Sequence, residues 1–230
     1  MLSADKLANK FMGTLRQCLK QCQEDQASRD AIQHDQWTVE QLRHIDDRIK
    51  LRRHGPAIQM DVCVESSKPF YSVDMVPTIQ IGDNCYYVAK PLSGAEIAWR
   101  RSFSLREKER LSTLDDDNGC RKQVLRVLKV MRNREPGLAR LTSYHLKTVL
   151  FRTTDELDDE DQWRVEHLGE RLMDVLEQIE KELGGGVMPN YFLQGVNLLN
   201  GIRGIAVDNM RRRLKNLRFS ERKMMKLVKS

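Results

Sequence analysis

Residues 99–111 read WRRSFSLREKERL, and the fold turns on this stretch. Upstream of it the hydrophobic pattern has a period of two; downstream it has a period near four. Ser104 has the chemistry of a helix cap, because its hydroxyl can accept from the free N–H groups of a first turn. Glu107, three residues on, completes a capping-box pattern. The segment is therefore predicted to join a strand-rich part to a helix-rich part. On capping logic alone it equally describes an ordinary capped helix after a loop.

Downstream, helices are predicted over 104–114, 118–134, 143–153, 159–183, 190–198 and 203–228. Asn118-Gly119, Pro136-Gly137, the triple glycine 184–186 and Pro189 mark the breaks. Leu168, Leu172, Val175, Leu176 and Ile179 form one apolar face on the longest of them. In the last, arginines and lysines surround Met210, Leu214 and Leu217.

Upstream, Leu7, Phe11, Leu15, Leu19 and Cys22 recur every three to four positions and predict a helix over 3–23. A second, more charged helix is predicted over 36–53, stopped by Gly55-Pro56. Then Ile58, Met60, Val62 and Val64 alternate with Gln59, Asp61 and Cys63. Turn residues at 66–69 and 82–84 divide three strands, 57–65, 70–80 and 85–89. So small a meander is marginal in water and requires helices or further strands against it. Asp61 falls on the polar face and is expected to be exposed.

Of the 230 residues, 40% are apolar and 31% charged, with a net charge of +6. Helically spaced Leu, Val, Ile and Met still provide a core, so the chain reads as folded rather than disordered. The excess of base permits an anionic partner. The five cysteines are scattered without metal-ligand spacing, which predicts reduced thiols in an intracellular protein. There is no run of 18 apolar residues and no signal-peptide pattern after Met1, so no membrane partner is expected.

Asp74 interrupts an apolar strand, YSVDMVP at 71–77. An ionised carboxylate there is costly unless water, a cation or a metal meets it. Two environments satisfy it: a strand end facing water, or a divalent metal such as Mg²⁺, which suits hard oxygen ligands. Lys90, Arg100 and Lys129 are basic groups near the strand–helix junction. Ser143 and Tyr144 open a helix, where a hydroxyl favours phosphate and an aromatic face stacks on a base. In 118–134, Lys122, Arg126, Lys129 and Arg132 fall along one side at helical spacing. That pattern fits phosphate contact and is also what a plain solvated helix shows.

Several runs taken together are more specific. LSADKLANKF (2–11), YSVDMVPTI (71–79), YYVAK (86–90), WRRSFSLREKE (99–109), GCRKQVLRVLK (119–129), SYHLKT (143–148), Trp163 with Leu168-Gly169, and NYFLQGVNLL (190–199) occur in this order. The chain resembles the C-terminal two-thirds of the cyclic GMP-AMP synthase / male-abnormal-twenty-one nucleotidyltransferase family, including the cGAS-like receptors. The resemblance implies an α+β fold: part of a nucleotidyltransferase core over 1–98, then an all-helical HhH/H2TH-like lobe over 99–230. It implies that Asp74 is the third metal-binding aspartate, with Mg²⁺ or Mn²⁺ as cofactor. Lys90, Arg100 and Lys129 match positions that hold substrate phosphates or guanine nucleotide. Ser143 and Tyr144 match the phosphate-touching serine and the base-stacking tyrosine. Lys108, Lys122 and Arg126 match a basic face for double-stranded RNA or DNA. Family sensors join ATP and GTP into a cyclic dinucleotide in innate immune signalling, in the cytoplasm or nucleus.

Three departures qualify this. The family's Gly-Ser loop and first two acidic ligands lie upstream of LSADKL, and here Met1 stands immediately before Leu2, so both are expected to be missing from these 230 residues. The expectation is a fragment, inactive alone. Where the vertebrate synthase inserts its zinc site, this chain has STLDDDNG before Cys120, so no zinc is expected. Gln194 replaces a usual proline. The alternative reading is a non-catalytic relative that binds nucleic acid or protein.

Overall fold

The computed structural model describes residues 4–29, 49–54, 57–65, 68–83, 85–89 and 99–229. By its internal contacts the chain divides into two compact units, Met1–Phe103 and Ser104–Ser230. The architecture is α+β, with two small antiparallel sheets in the first unit and helices in the second.

In the first unit, helix α1 (Ala4–Arg29) approaches β2 (Ala57–Glu65) and buries Ala8. It runs past the apolar periodicity because Gln23–Arg29 are mostly adequate helix formers. β1 (Ile49–His54), β2 and β3 (Lys68–Met75) form one sheet in sequence order. The expected helix over 36–53 is therefore wrong over 49–53, which belongs to β1; the rest of that span lies outside the described residues. β1 pairs with β2 from Ile49↔Val62 to His54↔Ala57. Its exposed side carries Lys50, Arg52 and His54, and that charge is what made it look helical. β4 (Thr78–Gln80), β5 (Tyr86–Val88) and β6 (Arg100–Ser102) form a second sheet. The strand expected over 70–80 breaks at Val76-Pro77, since proline cannot donate to a ladder.

Asp61 is a correction. It is 5% exposed rather than solvated. β2 is the central strand, and its odd-numbered face, with Ala57 and Cys63, is covered. The carboxylate accepts from Ser72 Oγ at 2.6 Å and Gln59 Nε2 at 3.1 Å, and meets Arg52 Nη2 at 3.1 Å. Ser72 is its register partner on β3, so the ladder itself supplies one ligand.

The second unit comprises α2 (Ser104–Thr113), α3 (Arg121–Arg134), α4 (Ser143–Glu156), α5 (Leu168–Gly185), α6 (Gly204–Arg218) and α7 (Glu221–Lys229). One apolar core joins Val124, Leu128, Val149, Phe151, Trp163 and Val175 with the buried sides of α6 and α7. Gly186, at φ +68°, ends α5 in the left-handed conformation. Three expected helices differ. Residues 160–167 form two 3₁₀ turns before α5, the first capped by Asp159. Residues 190–198 are not helical: Asn190 Oδ1 accepts from the N–H of Phe192 and Leu193, and Pro189 bridges Asn197. Such Asx turns compete with a helix for the same donors. The span 203–228 breaks at Phe219, and Ser220 starts α7 with its carbonyl accepting from Lys223 and Met224.

Candidate functional site

The α3–α4 pair builds a cationic site. α4 is capped by Thr142 rather than by Ser143. Thr142 Oγ1 accepts from His145 N at 3.3 Å, and His145 Nδ1 accepts from Thr142 N at 2.9 Å. Nδ1 is thus an acceptor, so Nε2 carries the proton and donates to Leu198 O at 3.1 Å. Burial holds this imidazole below the usual histidine pKa, consistent with a neutral ring. Both ring nitrogens are committed, and the first turn of α4 is rigidly placed.

Ser143 is consequently the first helical residue, with its hydroxyl free to face α3. Arg132 Nη2 donates to Ser143 Oγ at 3.2 Å, and Nη1 donates to Leu141 O at 3.3 Å. Lys129 lies one turn before Arg132 on α3, and Lys147 one turn after Ser143 on α4. Lys147 is taken by Glu107 of α2, so that carboxylate ties two helices together. Lys129 is half-buried and has no acid partner among the described residues. Burial, then Lys147 and Arg132, push its ammonium below the usual lysine pKa. Three neighbouring cations, Lys129, Arg132 and Lys147, against the one carboxylate of Glu107 make a surface that is electrostatically short of an anion.

Tyr144 is half-buried, and its hydroxyl donates to Asn190 Oδ1 at 3.0 Å. The same oxygen organises the turn at 190–193, which fixes the phenol end of the ring. Lys108 and Arg126 are exposed without an acid partner among the described residues. Lys122 Nζ donates to Ser112 O at 3.2 Å. Ser112 is four residues beyond Lys108, on the same side of α2, so these three positions are contiguous. Arg121 is not part of this face. It is buried, meets Asp117 and Asp115, and its guanidinium lies 4.9 Å above the Trp163 ring. Asp115 also caps α3, accepting from Arg121 N and Lys122 N.

Of the remaining candidates, Arg100 is the exposed first residue of β6. Asp74 stands next to the end of β3, opposite Gln59, with its side chain 54% exposed and His54 Nδ1 at 3.8 Å. Lys90 lies outside the described residues. Asp74 and Arg100 thus belong to the first unit, and Lys129, Ser143 and Tyr144 to the second.

Family profiles cover nearly all of this chain. Residues 1–113 match the Mab-21 protein nucleotidyltransferase domain, and residues 120–216 the Mab-21 protein HhH/H2TH-like domain. The chain belongs to the Mab-21 nucleotidyltransferase family. Cyclic GMP-AMP synthase-like receptor 3 of Stylophora pistillata is 33% identical over 196 residues, 80% of this chain and 57% of that protein. Mitochondrial dynamics protein MID51 of Danio rerio is 31% identical over 66% of this chain and 33% of its own length. MID49 of Xenopus laevis is 33% identical over 50% of this chain and 25% of its own. The Mab-21 chain thus spans little more than half of the receptor's length and less of the other two.

A divalent metal, which nucleotidyltransferases of this kind use, does not fit the described residues. No group of three or more potential ligands occurs among them. The Asp74 side chain is 54% exposed and, among the described residues, has a histidine rather than a second carboxylate beside it. The residues that sequence reading missed are Arg132, Lys147 and His145. Helical spacing puts Arg132 only on a basic stripe, and SYHLKT contains the other two without marking which cation is paired.

Proposed function

We infer that this Mab-21 chain is the nucleotide-binding part of a cGAS-like nucleotidyltransferase, acting on ATP and GTP to make a cyclic dinucleotide in innate immune signalling, in the cytoplasm or nucleus. The observation that supports this is Lys129: a half-buried ammonium without an acid partner among the described residues, close enough to Lys147 and Arg132 to feel their charge, with Arg132 bonded to the Ser143 hydroxyl. Cations are brought together in this way, at an electrostatic cost, where an anion is to be bound. In this reading Lys129 and Arg132 neutralise phosphate, Ser143 donates to it, and the Tyr144 face stacks on the base. By the family resemblance, Lys90 and Arg100 are assigned to substrate phosphate or guanine nucleotide.

Lys129→Met keeps the stem and removes the charge. It is expected to weaken binding of ATP or GTP to the 230-residue chain by roughly 10- to 100-fold, the worth of one or two charge-assisted contacts. Removal of a cation from among cations leaves the melting temperature unchanged or raised. Calorimetric nucleotide titration with thermal melts checks both. Unchanged affinity with unchanged stability overturns the reading.

A second reading is favoured by Lys108, Lys122 and Arg126, which form a contiguous basic face with no acid paired to Lys108 or Arg126 among the described residues. It makes the helical unit a duplex-binding or protein-interaction module without catalysis; the names of the MID relatives describe mitochondrial dynamics and no synthetic activity. Lys108→Glu, Lys122→Glu and Arg126→Glu are each expected to weaken duplex RNA and DNA alike, with affinity falling steeply as salt rises. Lys129→Glu is expected to affect duplex least. If the triple variant binds duplex like the parent in titrations at two salt concentrations, this face is only solvated surface.

A further inference from the structure

Helix α6 is two-sided in a way that neither site uses. Val207, Met210, Leu214 and Leu217 are buried in the core. Ile205, Asp208, Arg212, Lys215 and Phe219 are all exposed. Their spacing of three and four residues places them on one stripe, opposite the buried one. Ile205 and Phe219, at its two ends, are 77% and 75% exposed, more than any other large apolar residue described. Between them lie Arg212 and Lys215, with Arg211 beside them lining the same shallow groove. Asp208 is the single acid there. The Phe219 ring carries the Arg218 guanidinium at 5.7 Å. The next helix, α7, turns Met224 and Leu227 to the core and leaves Arg222, Lys223 and Lys226 exposed.

Exposed aromatic and aliphatic groups at both ends of a cationic stripe are costly in water and of no use to a phosphate backbone. A duplex rewards the cations alone. An anionic bilayer rewards both: headgroups meet Arg212 and Lys215, and the acyl boundary takes Ile205 and Phe219. We propose that the outer stripe of α6, extended by the cations of α7, is a peripheral docking surface for anionic lipid membranes. The sequence alone predicts no membrane partner, and among the described residues no helix is long and apolar enough to cross one. Docking of this kind needs neither a spanning helix nor the nucleotide site, so it stands apart from the function inferred above.

The test is co-sedimentation of the 230-residue chain with phosphatidylcholine vesicles, with and without phosphatidylserine, at low and physiological salt. Binding is expected only with phosphatidylserine and to weaken with salt. Arg212→Glu with Lys215→Glu should lower the partition coefficient roughly tenfold or more. Ile205→Ser with Phe219→Ser should lower it roughly fivefold or more while leaving duplex affinity unchanged. All four side chains are exposed, so the fold tolerates these changes, and thermal melts verify it. The proposal is overturned if the parent pellets equally with phosphatidylcholine alone, or if the Ile205/Phe219 variant pellets like the parent. Parallel loss of duplex affinity in that variant assigns the stripe to nucleic acid. Loss of concentration-dependent self-association instead assigns it to a second copy. Both results also overturn the proposal.

Discussion

Trp163→Ala is expected to destabilise the helical unit by about 3–5 kcal/mol, the range for large aromatic truncations in cores. The ring is fully buried in the centre of the core. Its indole N–H donates to Leu157 O at 3.1 Å, and its own carbonyl accepts from Cys120 N at 2.7 Å. Arg121 spreads over one face while held by Asp117. Truncation therefore opens a cavity, strips the Leu157 carbonyl of a donor and uncovers a buried guanidinium. Against a domain stability of about 5–15 kcal/mol, this is a large fraction. The melting temperature should fall by about 10–20 °C. Trp163→Phe keeps part of the packing and should lie between. Val165→Ala, two residues on and 52% exposed, should stay within about 0.5 kcal/mol. Urea melts of the three variants check the order. Trp163→Ala within about 1 kcal/mol of the parent would show that the 3₁₀ turn merely covers the core.

The helical unit was largely legible because its helices are long and amphipathic. The apolar face of Leu172, Val175, Leu176 and Ile179 in 159–183 is the one buried in α5. What periodicity could not show was competition for backbone donors by side chains: Asn190 and Asp159 turn the chain where apolar spacing alone suggested helix. In the first unit, β1 carries a charged face and so lacked the strand pattern, and the two sheets were read as one because proline in a strand is visible but its consequence for topology is not. Asp61 was misread for a related reason. Alternation identifies two faces, but which is covered depends on neighbours distant in sequence. Among the site residues, family resemblance pointed to Lys129 and Ser143. It could not show that Lys147 is neutralised by Glu107 while Lys129 is not, because pairing across α2, α3 and α4 is a property of the packed helices.

The 230-residue chain is expected to form no cyclic dinucleotide from ATP and GTP in the presence of Mg²⁺ or Mn²⁺, with or without duplex. Two-metal phosphoryl transfer needs several carboxylates converging on ions about 4 Å apart. Asp74 is the residue that the family resemblance matches to such a ligand; His54 Nδ1 lies 3.8 Å from it, and no group of three or more potential metal ligands occurs among the described residues. The opposing residue across the ladder is Gln59, a neutral amide. The phosphate side of the chemistry is better equipped, with Lys129, Arg132 and Ser143 brought together, so nucleotide binding and turnover should separate: ATP and GTP bind, and no product forms. A fusion that adds the family's Gly-Ser loop and two acidic ligands before LSADKL should turn over, and Asp74→Asn in that fusion should abolish turnover while leaving nucleotide affinity within a few-fold. Product analysis by chromatography after incubation with both nucleotides decides it. Turnover by the unfused chain that is lost on Asp74→Asn would mean that the remaining ligands come from residues within these 230, and the reading of Asp74 as an incomplete site would fall.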